Sequence, residues 1–273
     1  MGESTLYDRV GAAGLAELLG APRVEILGSV GSTMDVAHEL AREGAVAGSV
    51  VIADTQTAGR GRGGTKWVSE PGQGIWITVL ERPRDHSGLD VLSLRVGLGA
   101  ARALDVFAGE PIRIKWPNDL YVGDAKLGGI LIEARWRDLE LEWVAIGLGI
   151  NVREPASFDF AAELEEGTSR VEVLSELVPE VRKAAEATGL LTDEEMSEFE
   201  GRDYARGRSC TEPAIGIVNG ITNAGELKIA LADSVVKFRS GSLVLDDVRS
   251  ASRKTAATVQ SLAIESPNIQ RPR

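Results

Sequence analysis

The spacing of apolar positions changes several times along the chain, and each change predicts an element. Leu6, Val10, Leu15, Leu18 and Leu19 recur at roughly helical spacing up to Gly20, so residues 5–19 read as a short helix. The run 24–28 is strand-like. Gly31-Ser32-Thr33-Met34-Asp35 then opens a helix that runs to about Glu43 and is ended by Gly44; Ser32 with Asp35 fits a capping box. Residues 49–53 read as a buried strand and 75–80 as an alternating one. Residues 90–108, rich in Leu, Val and Ala, read as a largely buried helix. Residues 112–116 form a strand broken by Pro117. Residues 120–122, a Gly123-Asp124 turn and 126–135 read as a hairpin, with a further strand at 141–152. Helices come next over 159–205, with Val171, Leu174, Leu177, Val178 and Val181 on one face. From Arg206 the texture turns to short strands (214–218, 225–231, 234–238, 242–245), which reads as a small β-barrel. The expected organisation is one domain over 1–205, a barrel over 206–250 and a disordered tail over 251–273.

One stretch breaks these periodicities. Asp54 to Trp67 reads DTQTAGRGRGGTKW, with Gly59, Gly61, Gly63 and Gly64 interleaved with Arg60, Arg62 and Lys66. Glycines let backbone wrap closely around a ligand, and guanidinium forks match phosphate or carboxylate oxygens. The stretch therefore reads as a mobile anion-binding loop hung on a strand. It is not a P-loop, because Thr65 stands where the lysine is needed. A dinucleotide fingerprint matches at Gly59, Gly61 and Gly64, but residues 67–80 beyond it read as turn and strand rather than helix. An RGG-type nucleic-acid segment would be repetitive and flanked by disorder, which this one is not.

Further along, Lys115-Trp116-Pro117-Asn118-Asp119 is compact. Lys115 sits in an otherwise apolar strand and needs a partner, for which Asp119 is nearest. Asn118 and Asp119 also suit a turn. Lys126 opens the strand KLGGILIEA, where Gly128 and Gly129 suggest close approach by a ligand; a lone strand-end lysine can equally be solvent-exposed. Gly147 and Gly149 interrupt the next strand, which ends at Asn151. Ser32 and Thr33 cap a helix and can hold a polar ligand group at the same place.

Composition narrows the classes. The net charge is −11, which argues against nucleic acid or an anionic membrane as a general partner, so a basic site must be local. With His38, His86 and Cys210 as the available histidines and cysteine, a disulfide framework, a zinc site and a Cys–His nucleophile all lack parts. The first residues do not resemble a signal peptide and no apolar run nears membrane length; a cytoplasmic protein is expected. Only about two dozen residues precede the first strand, too few for a helix-turn-helix domain.

Taken together the motifs resemble the biotin protein ligases (biotin–acetyl-CoA-carboxylase ligases), over roughly residues 20–247. They are, in order, Ser32-Thr33; Gln56, Gly59 to Arg62 and Lys66-Trp67; Lys115 to Asp119; Lys126 to Glu133; and Gly147 to Asn151. The resemblance implies an α+β fold: a mixed-sheet, class II synthetase-like biotin/lipoate ligase domain with an SH3-like C-terminal barrel, of the monofunctional class without a DNA-binding domain. It implies that biotin and MgATP give biotinyl-5′-AMP, which a lysine of the biotin carboxyl carrier protein of acetyl-CoA carboxylase or a related carboxylase then attacks. By the same resemblance Lys126 and Arg62 are catalytic. Ser32, Thr33, Met34, Gln56, Arg60, Gly61, Arg62, Lys126 and Gly129 bind biotin. Arg60, Arg62, Trp67, Lys115, Asn118, Asp119, Lys126 and Asn151 bind ATP, with Mg2+ near Asn118 and Asp119. Met34 stands where the family often has Asn, and Gly63-Gly64-Thr65 where it often has more basic residues. Monomer and homodimer are both open. A lipoate-type ligase and a non-catalytic biotin sensor are the alternatives.

Overall fold

The computed structural model describes residues 6–153 and 161–246; the tail expected over 251–273 lies outside the described residues. Helix α1 spans Ala12–Leu18, shorter than its periodicity predicts. Tyr7 and Val10 exchange backbone hydrogen bonds of 2.9 Å, and Asp8 and Arg9 between them take positive φ, which turns the chain before Gly11. Then come β1 (Val24–Val30), α2 (Thr33–Arg42), β2 (Ser49–Gln56), β3 (Gly74–Glu81), α3 (Leu92–Leu104), β4 (Arg113–Lys115), β5 (Asp119–Val122), β6 (Ala125–Arg137) and β7 (Glu140–Asn151). The helical region contains α4 (Arg170–Glu186) and α5 (Asp193–Arg202). The C-terminal strands are β8 (Ser209–Glu212), β9 (Gly216–Ile221), β10 (Leu227–Ala230), β11 (Val235–Phe238) and β12 (Val244–Leu245). Strand β8 is not among the strands the sequence predicts, because its residues SCTE carry no apolar alternation.

Strands β1 to β7 form one mixed sheet in the order β1-β2-β3-β7-β6-β5-β4, with β1 and β2 parallel and the other pairs antiparallel. Strands β8 to β12 form a second, antiparallel sheet, which fits an SH3-like barrel. Strict alternation along the central strands separates the two faces of the large sheet. Val50 and Ile52 of β2, Ile75, Ile77 and Val79 of β3, and Val144, Ile146, Leu148 and Ile150 of β7 join α1, α3 and α4 in the main core. The opposite face takes α2, against which Val51 packs with Ala37 and Leu40. That second face carries Thr78, Gly147, Gly149 and Gly129, aligned across three strands by the pairings Thr78↔Gly147 and Gly149↔Gly129. Small and polar residues at these positions keep this face open beside α2. The barrel is joined on through Trp116, whose buried indole N–H donates to the Gly225 carbonyl at 2.9 Å.

Candidate active site

A cavity of about 490 Å³ opens on that second face. Ser32, Thr33 and Met34 line it from the start of α2, and Gln56 from the end of β2. Arg60, Gly61, Arg62 and Trp67 line it from the loop, Lys115, Asn118 and Asp119 from the β4–β5 turn, and Lys126 and Gly129 from β6. Asn151 is not in the lining. It is buried at the end of β7, its Nδ2 donating to the Lys126 carbonyl at 3.4 Å.

At one end the polar groups form a connected chain. The Thr78 hydroxyl donates to Thr33 Oγ1 (2.9 Å), and the Thr33 hydroxyl and backbone N–H both donate to Gln56 Oε1 (3.2 and 2.9 Å). Gln56 Nε2 in turn donates to Ser69 Oγ at 3.0 Å. The Gln56 amide is thereby oriented, with one N–H left over. Ser32 caps α2, accepting from the Met34 N–H at 3.3 Å. Asp35 does not complete a capping box of the expected kind: its carboxylate instead accepts from both Arg60 terminal nitrogens at 2.7 and 2.9 Å. Thr78 and Ser69 carry no sequence signal, being single hydroxyls in otherwise ordinary segments.

At the other end lie the charges. Lys126 Nζ is 2.7 Å from Asp119 Oδ1 and 5.3 Å from the centre of the Trp67 ring, half-buried rather than a free strand-end lysine. Lys115 lies 5.9 Å above the Tyr121 ring. Asn118 is stapled to β6: its Nδ2 donates to the Ile130 carbonyl at 2.7 Å, and the Ile130 N–H returns a bond to the Asn118 carbonyl. Trp67 lies against Gly149 and Gly129, where an added Cβ would come within 2.5 and 3.1 Å of its ring. Of the two glycines read from the sequence as sites of close approach by a ligand, Gly129 admits this indole, whereas Gly128 faces Ile150. The Trp67 Nε1 hydrogen is buried without an acceptor.

The loop is a tight hairpin. Trp67 N–H donates to the Gly59 carbonyl (2.9 Å) and Gly61 N–H to the Thr65 carbonyl (2.7 Å). Gly63 and Gly64 at its tip have φ of 68° and 78°, a conformation that side-chain-bearing residues resist, which accounts for glycine there. Thr65 Oγ1 closes the tip on the Arg62 carbonyl at 3.0 Å. Arg62 reaches across to the barrel, Nη1 donating to the Gly241 carbonyl at 2.5 Å, and Gly241, Ser242 and Leu243 complete the cavity wall. No sequence signal pointed to this last segment.

Among the described residues no cluster of three His, Cys, Asp or Glu side chains could hold a metal, and Asp119 is the one carboxylate in the cavity lining. A single carboxylate fits a magnesium ion that arrives on phosphates and keeps most of its other ligands from them and water.

The mixed sheet, the α2 cap and the glycine-rich loop define the catalytic fold of the biotin ligases. Residues 28–151 match the biotin/lipoate A/B protein ligase family. It is 34% identical over 169 residues to the bifunctional ligase/repressor BirA of Bacillus spizizenii, covering 59% of this chain and 52% of that protein. It is 36% identical over 104 residues to the biotin–[acetyl-CoA-carboxylase] ligase of Paracoccus denitrificans, covering 37% of this chain and 43% of that one. The chain thus spans about half the length of these curated relatives. Among solved structures, the Aquifex aeolicus biotin protein ligase in complex with biotin and ATP superposes with a TM-score of 0.69 at 26% identity, covering 81% of this chain and 97% of that one. Among the described residues no helix is long and apolar enough to cross a membrane.

Proposed function

We propose that this protein is an ATP-dependent biotin protein ligase, which activates biotin as biotinyl-5′-AMP and passes it to a lysine of a biotin carboxyl carrier protein. The observation that carries the reading is one cavity with two chemically distinct ends. One end is a neutral hydrogen-bonding set, Ser32, Thr33 and Gln56; the other is a cationic set, Lys126, Arg62 and Lys115. A cyclic urea offers both N–H donors and a carbonyl acceptor, which suits the Thr33 oxygen, the Ser32 hydroxyl and the spare Gln56 N–H. A dithiolane ring would leave these buried groups unmatched, at a cost in affinity.

At the other end a carboxylate must approach an anionic phosphate, so repulsion has to be offset as charge develops. Lys126 is the cation for that task. Asp119 holds its ammonium in place, and the two anions of the substrates can compete for it. Magnesium, carried on ATP with Asp119 and the side-chain oxygen of Asn118 nearby, would supply further charge neutralisation. The loop covers the anhydride against water. The carrier domain, and a cytoplasmic setting where such carriers work, belong to the same reading.

The test is biotin-dependent ATP–pyrophosphate exchange with magnesium, run beside lipoate, with transfer to a carrier domain as the second step. Exchange with biotin and not lipoate is expected. Exchange with lipoate alone would reverse the specificity, and biotin binding with no exchange would make the chain a sensor.

A further inference from the structure

The two arginines of the loop are not equivalent. Arg62 is directed to a carbonyl of the barrel. Arg60 makes a two-pronged contact with Asp35 on α2, and its Nη2 is also 3.8 Å from Glu133 Oε1 on β6. Glu133 is itself fixed: its Oε2 is 2.9 Å from His38 Nε2. His38 Nδ1 accepts the Trp143 indole N–H at 2.9 Å, which leaves the ring proton on Nε2 to be donated to Glu133. A line of contacts therefore runs from the core residue Trp143 through His38 and Glu133 to the loop. Arg60 completes it, with Asp35 as its second support. The Arg60 guanidinium is charge-compensated on two sides, a poor starting point for a phosphate ligand.

We propose that Arg60 is the anchor of the glycine-rich loop rather than an anion ligand, and that Asp35 and Glu133 are positioning residues that seat the loop over the cavity. The contact is solvent-accessible, with Arg60 and Asp35 side chains 35% and 55% exposed, so it is a weak and reversible hold. That suits a loop that must admit substrate and then close. The anchor rests on the ligase reading only for its kinetic readout.

The experiment pairs two measurements on the full chain. The first, made without substrates, is the rate of tryptic cleavage after Arg60, Arg62 and Lys66, monitored by mass spectrometry. The second is the steady-state adenylation rate against biotin and ATP. Asp35→Asn should speed loop cleavage and raise the KM for biotin, each by about two- to tenfold, with kcat changed less; the scale is that of an exposed but two-pronged ion pair. Glu133→Gln should act in the same direction and more weakly. Asp35→Glu, and the charge-swapped pair Asp35→Arg with Arg60→Asp, should recover loop protection. Unchanged cleavage in Asp35→Asn would overturn the anchor. So would an Arg60→Ala enzyme whose defect lies in the KM for ATP while loop cleavage stays normal. Should the wild-type chain show no biotin-dependent adenylation, the ligase reading fails, and the cleavage measurement still decides the anchor.

Discussion

The glycine-rich loop is held at two places by the same kind of contact, an arginine against carboxylates, and the two differ in how far the arginine is buried. At the stem, Arg170 of α4 is buried, with a side chain 9% exposed. It bonds Asp54 at 2.7 Å, pairs closely with Asp8 and stacks 4.2 Å over the Tyr7 ring. Asp54 also accepts the Gly72 N–H at 3.2 Å, so one carboxylate ties the strand entering the loop to the chain leaving it. Near the tip, Arg60 and Asp35 meet largely in solvent. Losing one partner of a buried pair strands a charge without water, whereas an exposed pair exchanges one hydrated state for another. The stem therefore carries stability and the tip carries adjustability.

The largest effect should come from the stem. Arg170→Ala leaves Asp8 and Asp54, each about a third exposed, facing each other near a buried phenol, and about 2–4 kcal/mol of stability should be lost in urea unfolding, the water at the carboxylates holding it below the cost of breaking a fully buried pair. A loss below about 1 kcal/mol would mean that water reaches the cluster freely and that the contrast with the tip is false. Next is the reacting centre between the two. Lys126→Ala should keep the fold and lower adenylation by roughly two to three orders of magnitude, the scale for removing one electrostatic stabiliser; near-normal turnover would remove Lys126 from its role.

Gly149→Ala ranks below these. Its Cβ would meet the Trp67 ring at 2.5 Å, so the indole must shift. An overpacking cost of about 1–3 kcal/mol is expected, with raised KM values. A crystal structure with Trp67 unmoved would show that the sheet yields instead of the loop. The smallest effect is that of pH on the tip. Arg60 holds the Asp35 carboxyl below its ordinary range. The contact is thus complete above the ordinary aspartate value of about 3.9 and lost as pH falls through the lowered native one. Intrinsic-rate-corrected hydrogen exchange in the loop should be flat from about pH 5 to 8 and accelerate only below about pH 4. Acceleration near neutrality would assign the tip contact to a different group.

Much of this site could be read along the chain. The glycines at 128, 129, 147 and 149 stood out because they interrupt apolar strands, and the fold puts 129, 147 and 149 on one face. The loop arginines and KWPND were visible as residue types that their local element did not require; Ser32-Thr33 and Lys126 also had ordinary local uses, and Gln56 entered only through the family resemblance. What stayed hidden is what local pattern does not encode. Arg170 drew no attention in the sequence, because its partners lie 162 and 116 positions away in the chain. Asp35 looked like a cap partner because that is its nearest use, and the fold gives it Arg60, 25 positions on. Nothing near Gly241 signalled that the barrel would close the cavity.

The sequence by itself determined most of the elements and much of the inventory of site chemistry, because these depend on short-range spacing and on what glycine, arginine and lysine can do. Only the tertiary structure decided how the charges are paired. Asp119 meets Lys126, Arg60 meets Asp35 and Arg62 meets a barrel carbonyl. Charge partnership depends on distances of a few ångströms between elements remote in sequence, and the exposure that sets its strength exists only once the chain has folded.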